Sequence, residues 1–231
     1  MTYIYTIPPS IFPPIIEEEI RTEIDKLPRK KAAGPDKIPK KHIKIAHNIL
    51  FPDLLTLFNS CLTIHHFPPL WKQELTVIIK KASKEDYTDP NEYQPIALLN
   101  TLGKLFEKII NNQITCRAEQ TKILHPGHIG RQPGKGINDP FTILSTWIHQ
   151  KGRDKRVVVE AFLDVKSAYP MVYSKILIHT LQEKQCPTYR CLIIDSFLTN
   201  RTTKLHPDKY ISQEFPIPNG LPQGSALSAT P

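Results

Sequence analysis

The chain has 231 residues, 40% hydrophobic and 23% charged, which gives length for one large domain or two small ones and excludes a collagen, a disulfide miniprotein and a disordered tail. Its 22 prolines against 9 glycines put proline at about twice its usual ~5% share, so the elements are short and often punctuated. Lys and Arg number 30 against 22 acidic residues, a formal charge of +8 that favours a polyanionic partner, although many basic globular proteins never touch nucleic acid.

Cys61, Cys116, Cys186 and Cys191 are scattered, and their one close pair has no second pair to complete a metal site. They read as reduced thiols. Residues 1–16 are uncharged but carry Pro8, Pro9, Pro13 and Pro14 and no basic flank, against a signal peptide or helical anchor. Residues 54–71 contain Asn59, His65, His66, Pro68 and Pro69, too polar to cross a bilayer. The expectation is an intracellular protein of the nucleus or cytoplasm, without a membrane partner.

In chain order, residues 1–15 read as an extended arm. Ile16, Ile20, Ile24 and Leu27 then recur at helical spacing, with Glu17, Glu18 and Glu19 in the first turn where the helix dipole favours negative charge. The basic cluster Arg29-Lys30-Lys31 runs into a Gly34-Pro35-Asp36 turn. A second helix is expected over 41–64, interrupted near Pro52, and a strand over 74–80 with Lys80-Lys81 at its end. Residues 84–91 form a polar loop. A helix capped by Asn100 or Thr101 carries Leu102, Leu105, Phe106, Ile109, Ile110 and Ile114 on its apolar face. Four of the nine glycines fall in residues 127–136, a loop whose backbone can approach another chain. Asp139-Pro140 opens the next helix.

Residues 157–164, Val-Val-Val-Glu-Ala-Phe-Leu-Asp, are almost continuously apolar and end in a carboxylate, the pattern of a strand buried on both faces. Glu160 is out of place in such a strand. Helices are expected over 174–185 and 187–200, short strands near 202–205 and 215–217, and the first turn of a helix at 225–228.

Several of these segments, in fixed order, resemble the reverse transcriptase domain of non-LTR retrotransposons. Ala32-Ala33-Gly34-Pro35-Asp36-Lys37-Ile38-Pro39 is similar to the family's Ala-Pro-Gly-Pro-Asp-Gly-Ile segment. Trp71-Lys72, residues 76–80, Tyr93-Gln94-Pro95-Ile96-Ala97-Leu98-Leu99-Asn100 and Gly103-Lys104-Leu105-Phe106-Glu107-Lys108 resemble its fingers, and residues 130–139 its Gln-Phe-Gly-Phe-Arg-x-Gly-Arg-x-x-x-Asp segment. Phe162-Leu163-Asp164-Val165-Lys166-Ser167-Ala168-Tyr169 resembles the first catalytic palm motif and Gly220-Leu221-Pro222-Gln223-Gly224-Ser225-Ala226-Leu227-Ser228 the second.

The resemblance implies an α+β chain with a partial right-hand polymerase fold. It would be helix-rich, with fingers over 16–155, an incomplete palm over 156–231, and a small antiparallel palm sheet whose strand ends at Asp164 beside the 222–224 turn. The implied activity is RNA-templated synthesis of DNA from deoxynucleotides on an RNA template and a DNA primer. It uses Mg²⁺ or Mn²⁺, a hard ion bound by carboxylate oxygens and substrate phosphates. Asp164 and the Val165 carbonyl would hold metal, with Asp164 the catalytic carboxylate. Tyr169 would lie under the sugar and exclude a 2′-hydroxyl, Gln223 and Gly224 would support the nascent base pair, and Lys80, Lys81 and Lys104 would contact phosphates.

The sequence also departs from the family. Its third palm motif, an aromatic-x-Asp-Asp hairpin, has no counterpart, because no Asp-Asp dipeptide occurs and Asp195 and Asp208 are isolated. Gln94 replaces a usual arginine and cannot reproduce its bidentate grip on phosphate. His128 stands for a usual Gln, and Pro170 for the Asp after the aromatic, where it removes a backbone donor. The sequence therefore reads as a truncated reverse transcriptase that does not polymerise, lacking further polymerase and nuclease regions of a longer parent protein. The alternatives are a non-catalytic nucleic-acid-binding remnant and a group II intron maturase-like polymerase fragment.

Overall fold

The structure, a computed structural model, describes residues 13–28, 32–82, 86–125, 127–130, 132, 134–207 and 210–229. Most of the predicted arm, the basic cluster Arg29-Lys30-Lys31, and Lys84, Arg131 and Asp208 lie outside these residues. Helices α1 (Glu17–Asp25), α2 (Lys40–Thr63), α3 (Thr101–Gln120) and α6 (Thr188–Leu198) supply most of the core, with α4 (Asn138–Arg153) and α5 (Ser174–Glu183) between the last two. The four core helices bury the stripes that their apolar spacing announces, such as Ile20 and Ile24 on α1, Phe106, Ile109 and Ile110 on α3, and Ile193 and Phe197 on α6. Phe58, Phe67, Trp71, Phe106 and Phe197 meet at the centre with ring centroids 5.0 to 6.0 Å apart. That spacing favours edge and tilted aromatic contacts.

Helix α2 is not interrupted at Pro52. Its buried residues Phe51, Leu54, Phe58 and Leu62 lie on both sides of the proline, and their packing offsets the hydrogen bond that the ring removes. Polar side chains tie the helices to one another. The Asn59 amide brackets Ile15, accepting its N–H at 2.8 Å and donating to its carbonyl at 3.0 Å. Gln113 and Asn112 on α3 donate to Glu19 and Glu23 on α1, each at 2.9 Å. Asn100 stands at the N-cap of α3 without capping it. Its side chain instead donates to the Leu70 carbonyl at 2.7 Å and accepts from Asp36 N–H at 3.1 Å, seating the Gly34-Pro35-Asp36 turn.

Four strands, β1 (Gln73–Lys80), β2 (Tyr93–Leu98), β3 (Arg201–His206) and β4 (Phe215–Ile217), form one sheet in the order β2-β1-β3-β4. The sheet is mixed, which corrects the expected antiparallel one. β1 and β2 are antiparallel, β3 and β4 are antiparallel, and β1 and β3 are parallel. Between β1 and β3 the chain runs through β2 and helices α3 to α6, a connection long enough to bring it back in the same direction.

The predicted strand at 157–164 does not form. Residues 156–165 have no regular structure, and Val157, Val159, Phe162 and Leu163 are 84 to 95% exposed. A strand buried on both faces needs a hydrogen-bonded neighbour and a covering layer, and the four-stranded sheet provides neither for this segment. Glu160 therefore lies in water, where its charge has no burial penalty. Helix α4 has no buried residue, and Phe141, Ile143 and Trp147 on it are exposed, so the described residues from 134 to 173 are carried on the outside of the core.

One ion pair crosses the sheet interior. Arg201 on β3 and Glu74 on β1 are each 3 to 4% exposed. The guanidinium donates to Glu74 Oε1 through Nε at 2.9 Å and through Nη2, and to the Gly220 carbonyl through Nη1 at 2.6 Å. Burial pushes the Glu74 carboxyl up, and Arg201 pulls it part of the way back. Arg201→Met should therefore destabilise the protein by about 3–5 kcal/mol by stranding a buried carboxylate, and Arg201→Met/Glu74→Leu should recover most of that loss, as read from urea unfolding midpoints.

Candidate active site

The second palm motif has little regular structure of its own, and the core holds it from several sides. Gly220 N–H donates to the Val172 carbonyl and Leu221 N–H to the Tyr169 carbonyl, both at 2.8 Å. The second of these bonds joins the first and second palm motifs, and the first fastens the residues just after the first motif. Gly220 has φ +86°, and a Cβ there would lie 2.9 Å from the Pro170 carbonyl oxygen, so the close approach of the motifs requires glycine. Pro170 offers no N–H, but its carbonyl side is packed against this turn.

On its other flank the turn is seated on β2. Ala97 N–H donates to the Gln223 carbonyl at 3.0 Å. Gly224 has φ +114°, and a Cβ there would stand 3.2 Å from the Ala97 carbonyl oxygen. A side chain at Gly224 would thus press on strand β2.

A third tether comes from α3. Glu107 is fully buried; its Oε2 accepts from the Ser225 hydroxyl and, at 3.0 Å, from Ala226 N–H. Its Oε1 is buried without a partner among the described residues. Burial raises the Glu107 carboxyl from 4.5 to about 7, against the lowering effects of Ser225, Ala226, Lys104 and Leu227. Its role was missed in the sequence, although a signal existed: Gly103, Glu107, Ile110 and Ile114 recur at helical spacing, which puts a carboxylate in the apolar stripe of α3.

The predicted site residues are only partly brought together. Tyr169 is half-buried and joined through its carbonyl to the second motif, while Gln223 and Gly224 form the seated turn. Asp164 and Val165 are exposed, in the segment that forms no strand. Lys80 lies 4.7 Å from the Tyr87 ring centroid, and Lys81 donates to the Asn91 carbonyl at 2.6 Å. Lys80 pairs with Tyr93 in the sheet, whereas the turn is seated at Ala97, four residues or about 13 Å along β2. Lys104 is half-buried and faces inward, its charge acting on both Glu74 and Glu107. Gln94 pairs with Ile79 inside the β1–β2 ladder. Among the described residues no group of three or more His, Cys, Asp or Glu side chains is placed to hold a metal ion. The two motifs contribute the single carboxylate of Asp164, so the residues present do not fit a two-ion centre.

The Glu107 carboxyl gives folding a pH dependence with a definite sign. Between pH 4.5 and 7 the unfolded chain has released a proton that the native protein keeps, so stability falls as pH rises through this window and levels off above it. The contribution lost is roughly 3 kcal/mol. Thermal melts of the wild type and Glu107→Gln from pH 4 to 8 should show the wild type losing stability relative to the variant as pH rises. Parallel curves would contradict this.

A family model described as "Reverse transcriptase (RNA-dependent DNA polymerase)" matches residues 79–230. The RNA-directed DNA polymerase from mobile element jockey of Drosophila melanogaster is 32% identical over 213 residues, which are 92% of this chain and 23% of that protein. The probable RNA-directed DNA polymerase from transposon BS of the same fly is 29% identical over 218 residues, 93% of this chain and 23% of the relative. A retrovirus-related Pol polyprotein from type-1 retrotransposable element R2 of Popillia japonica is 25% identical over 165 residues, 71% of this chain and 22% of the relative. The chain thus spans about a quarter of the length of these relatives. With the match running through both palm motifs and the structure joining those motifs at Tyr169 and Leu221, the chain belongs to the reverse transcriptase family of non-LTR retrotransposons.

Proposed function

We propose that this chain supplies the fingers (16–155) and the first two palm segments (156–231) of a right-hand polymerase, binds nucleic acid through its basic surface, and does not extend a primer by itself. The observation that carries the reading is the pair of backbone bonds from Gly220 and Leu221 to Val172 and Tyr169. They support a reading in which Tyr169, Gln223 and Gly224 serve one nucleotide pocket. Template RNA, primer DNA and deoxynucleotides are the partners that this pocket suits. The net charge of +8 supports non-specific attraction to their phosphates.

Chemistry on a triphosphate needs an array of oxygen ligands that keeps two divalent ions close together. Asp164 with the Val165 carbonyl is one corner of such an array. The exposure of both residues leaves that corner without an enclosing wall, and in water their hold on Mg²⁺ is weak. Gln94 in place of a guanidinium weakens retention of the triphosphate further. Losing about 1.4 kcal/mol of transition-state stabilisation is a factor of ten in rate, so absent ligands bring turnover to background. No helix among the described residues is long and apolar enough to cross a membrane; the nucleus and the cytoplasm are the compartments where this template and primer occur.

One labelled primer on an RNA template tests both halves of the reading. Binding should weaken steeply with salt, by about 0.9 in the log-log slope per phosphate neutralised on a duplex. With Mg²⁺ or Mn²⁺ and four deoxynucleotides the primer should stay unextended. A salt-independent Kd would contradict the binding claim. Extension abolished by Asp164→Ala would contradict the catalytic claim.

A further inference from the structure

A cavity of about 430 Å³ opens between α3, α5 and α6, and the second palm motif adds Leu221, Leu227 and Ser228 to its wall. Its walls are apolar, with Leu177, Leu181, Ile194 and Phe197 among them, and Arg117, Arg190 and Cys186 share one part of its lining. Arg190 is 6% exposed. Among the described residues its guanidinium has the Tyr189 ring, 5.5 Å from the centroid, and no carboxylate. A buried cation without an anion calls for one, and it faces an apolar chamber of a size that holds a small organic molecule.

Cys186 is positioned to react with what enters. Its backbone is fixed by its N–H, which donates to the Leu181 carbonyl at 2.9 Å, and it directly precedes the N-cap of α6. It is half-buried, and the fully buried Cys191 places its Sγ 3.7 Å from the Cys186 carbonyl oxygen. We propose that this cavity is a binding and modification site for small electrophiles that carry a carboxylate head on an apolar body, with Cys186 as the nucleophile. The head pairs with Arg190 and Arg117, and the body lies along the leucines of α5 and the apolar face of α6. With an α,β-unsaturated carbonyl the Cys186 sulfur bonds to the β-carbon. The thiol proton passes to water, the C=C π pair moves to the α-carbon, and that carbon takes a proton from water, so the addition is balanced without oxidant or leaving group. The hydrogen bond between the two thiols holds the Cys186 thiol below its ordinary value, and Arg190 and Arg117 act in the same direction.

The control is built into the chain, because Cys116 on α3 is exposed and has ordinary access to reagents. The 231-residue protein is treated at pH 7 with iodoacetate or iodoacetamide, each forming an S–C bond as iodide leaves, and alkylation at each cysteine is followed by peptide mass spectrometry. Iodoacetate should modify Cys186 about threefold or more faster than Cys116, and the iodoacetate-to-iodoacetamide rate ratio should be higher at Cys186. Decanoate should slow the reaction at Cys186 and leave Cys116 unchanged. Arg190→Gln should lower the ratio at Cys186. Because Arg190 is buried, Arg117→Gln, on an exposed side chain, provides the same test without disturbing the core. Equal ratios at the two cysteines, or no protection by decanoate, would overturn the proposal.

Discussion

A carboxyl group with no access to water, that of Glu107, ties helix α3 to the second palm motif. Residues 220–226 form no strand or helix, so they have no ladder of their own to fix them. Their position is set from outside by Glu107 at Ser225 and Ala226, by Ala97 at Gln223, by Arg201 at Gly220, and by the carbonyls of Tyr169 and Val172. Each backbone N–H or C=O in the turn that finds such a partner avoids the cost of a buried unsatisfied group. The arrangement depends on the burial of Glu107, because a solvated carboxylate would gain little from two donors that water could replace. It also gives a reason for the burial of two ionisable side chains, Glu107 and Arg201, beside the second motif.

The two palm motifs differ in how they are supported. The second is fastened to β2, β3 and α3. Among the described residues the first is attached through Tyr169 and the residues just after it, and its upstream half, with Asp164, is in solvent. The apolar run at 157–163 has strand character in its composition but pairs with no strand among the described residues. A run of this kind gains no hydrophobic stabilisation while both faces remain wet. The segment around Asp164 is therefore the least supported part of the two motifs, although the 220–226 turn is among the best supported.

Most of the helical architecture was legible from spacing alone, because Ile20/Ile24, Phe106/Ile110 and Ile193/Phe197 are local patterns that bury one stripe. Strand β1 was equally legible from Leu75 to Ile79. The failures are non-local. Strand pairing depends on which edges meet, so neither the parallel β1–β3 ladder nor the lack of any ladder at 157–164 could be read from composition. Strand β2 was recognised only as a motif, since Pro95 and Gln94 interrupt its apolar pattern. Continuity of α2 through Pro52 depended on packing against other helices. The motif spelling gave both segments that meet through the Leu221–Tyr169 bond but no warning that Lys80 and Lys81 point into a local loop. Glu107 was visible as a charge in an apolar stripe, but its partners lie 118 and 119 residues away.

The central claim is that the second palm motif is locked onto the core while the upstream half of the first is solvated. Amide hydrogen exchange followed by NMR tests it residue by residue. The amides of Gly220, Leu221 and Ala226, which donate to Val172, Tyr169 and Glu107, should exchange slowly, and those of residues 157–163 should exchange at close to unprotected rates. Slow exchange across 157–163 together with unprotected amides at Gly220 and Leu221 would contradict the account, since it would place the first motif in a sheet and leave the second undocked.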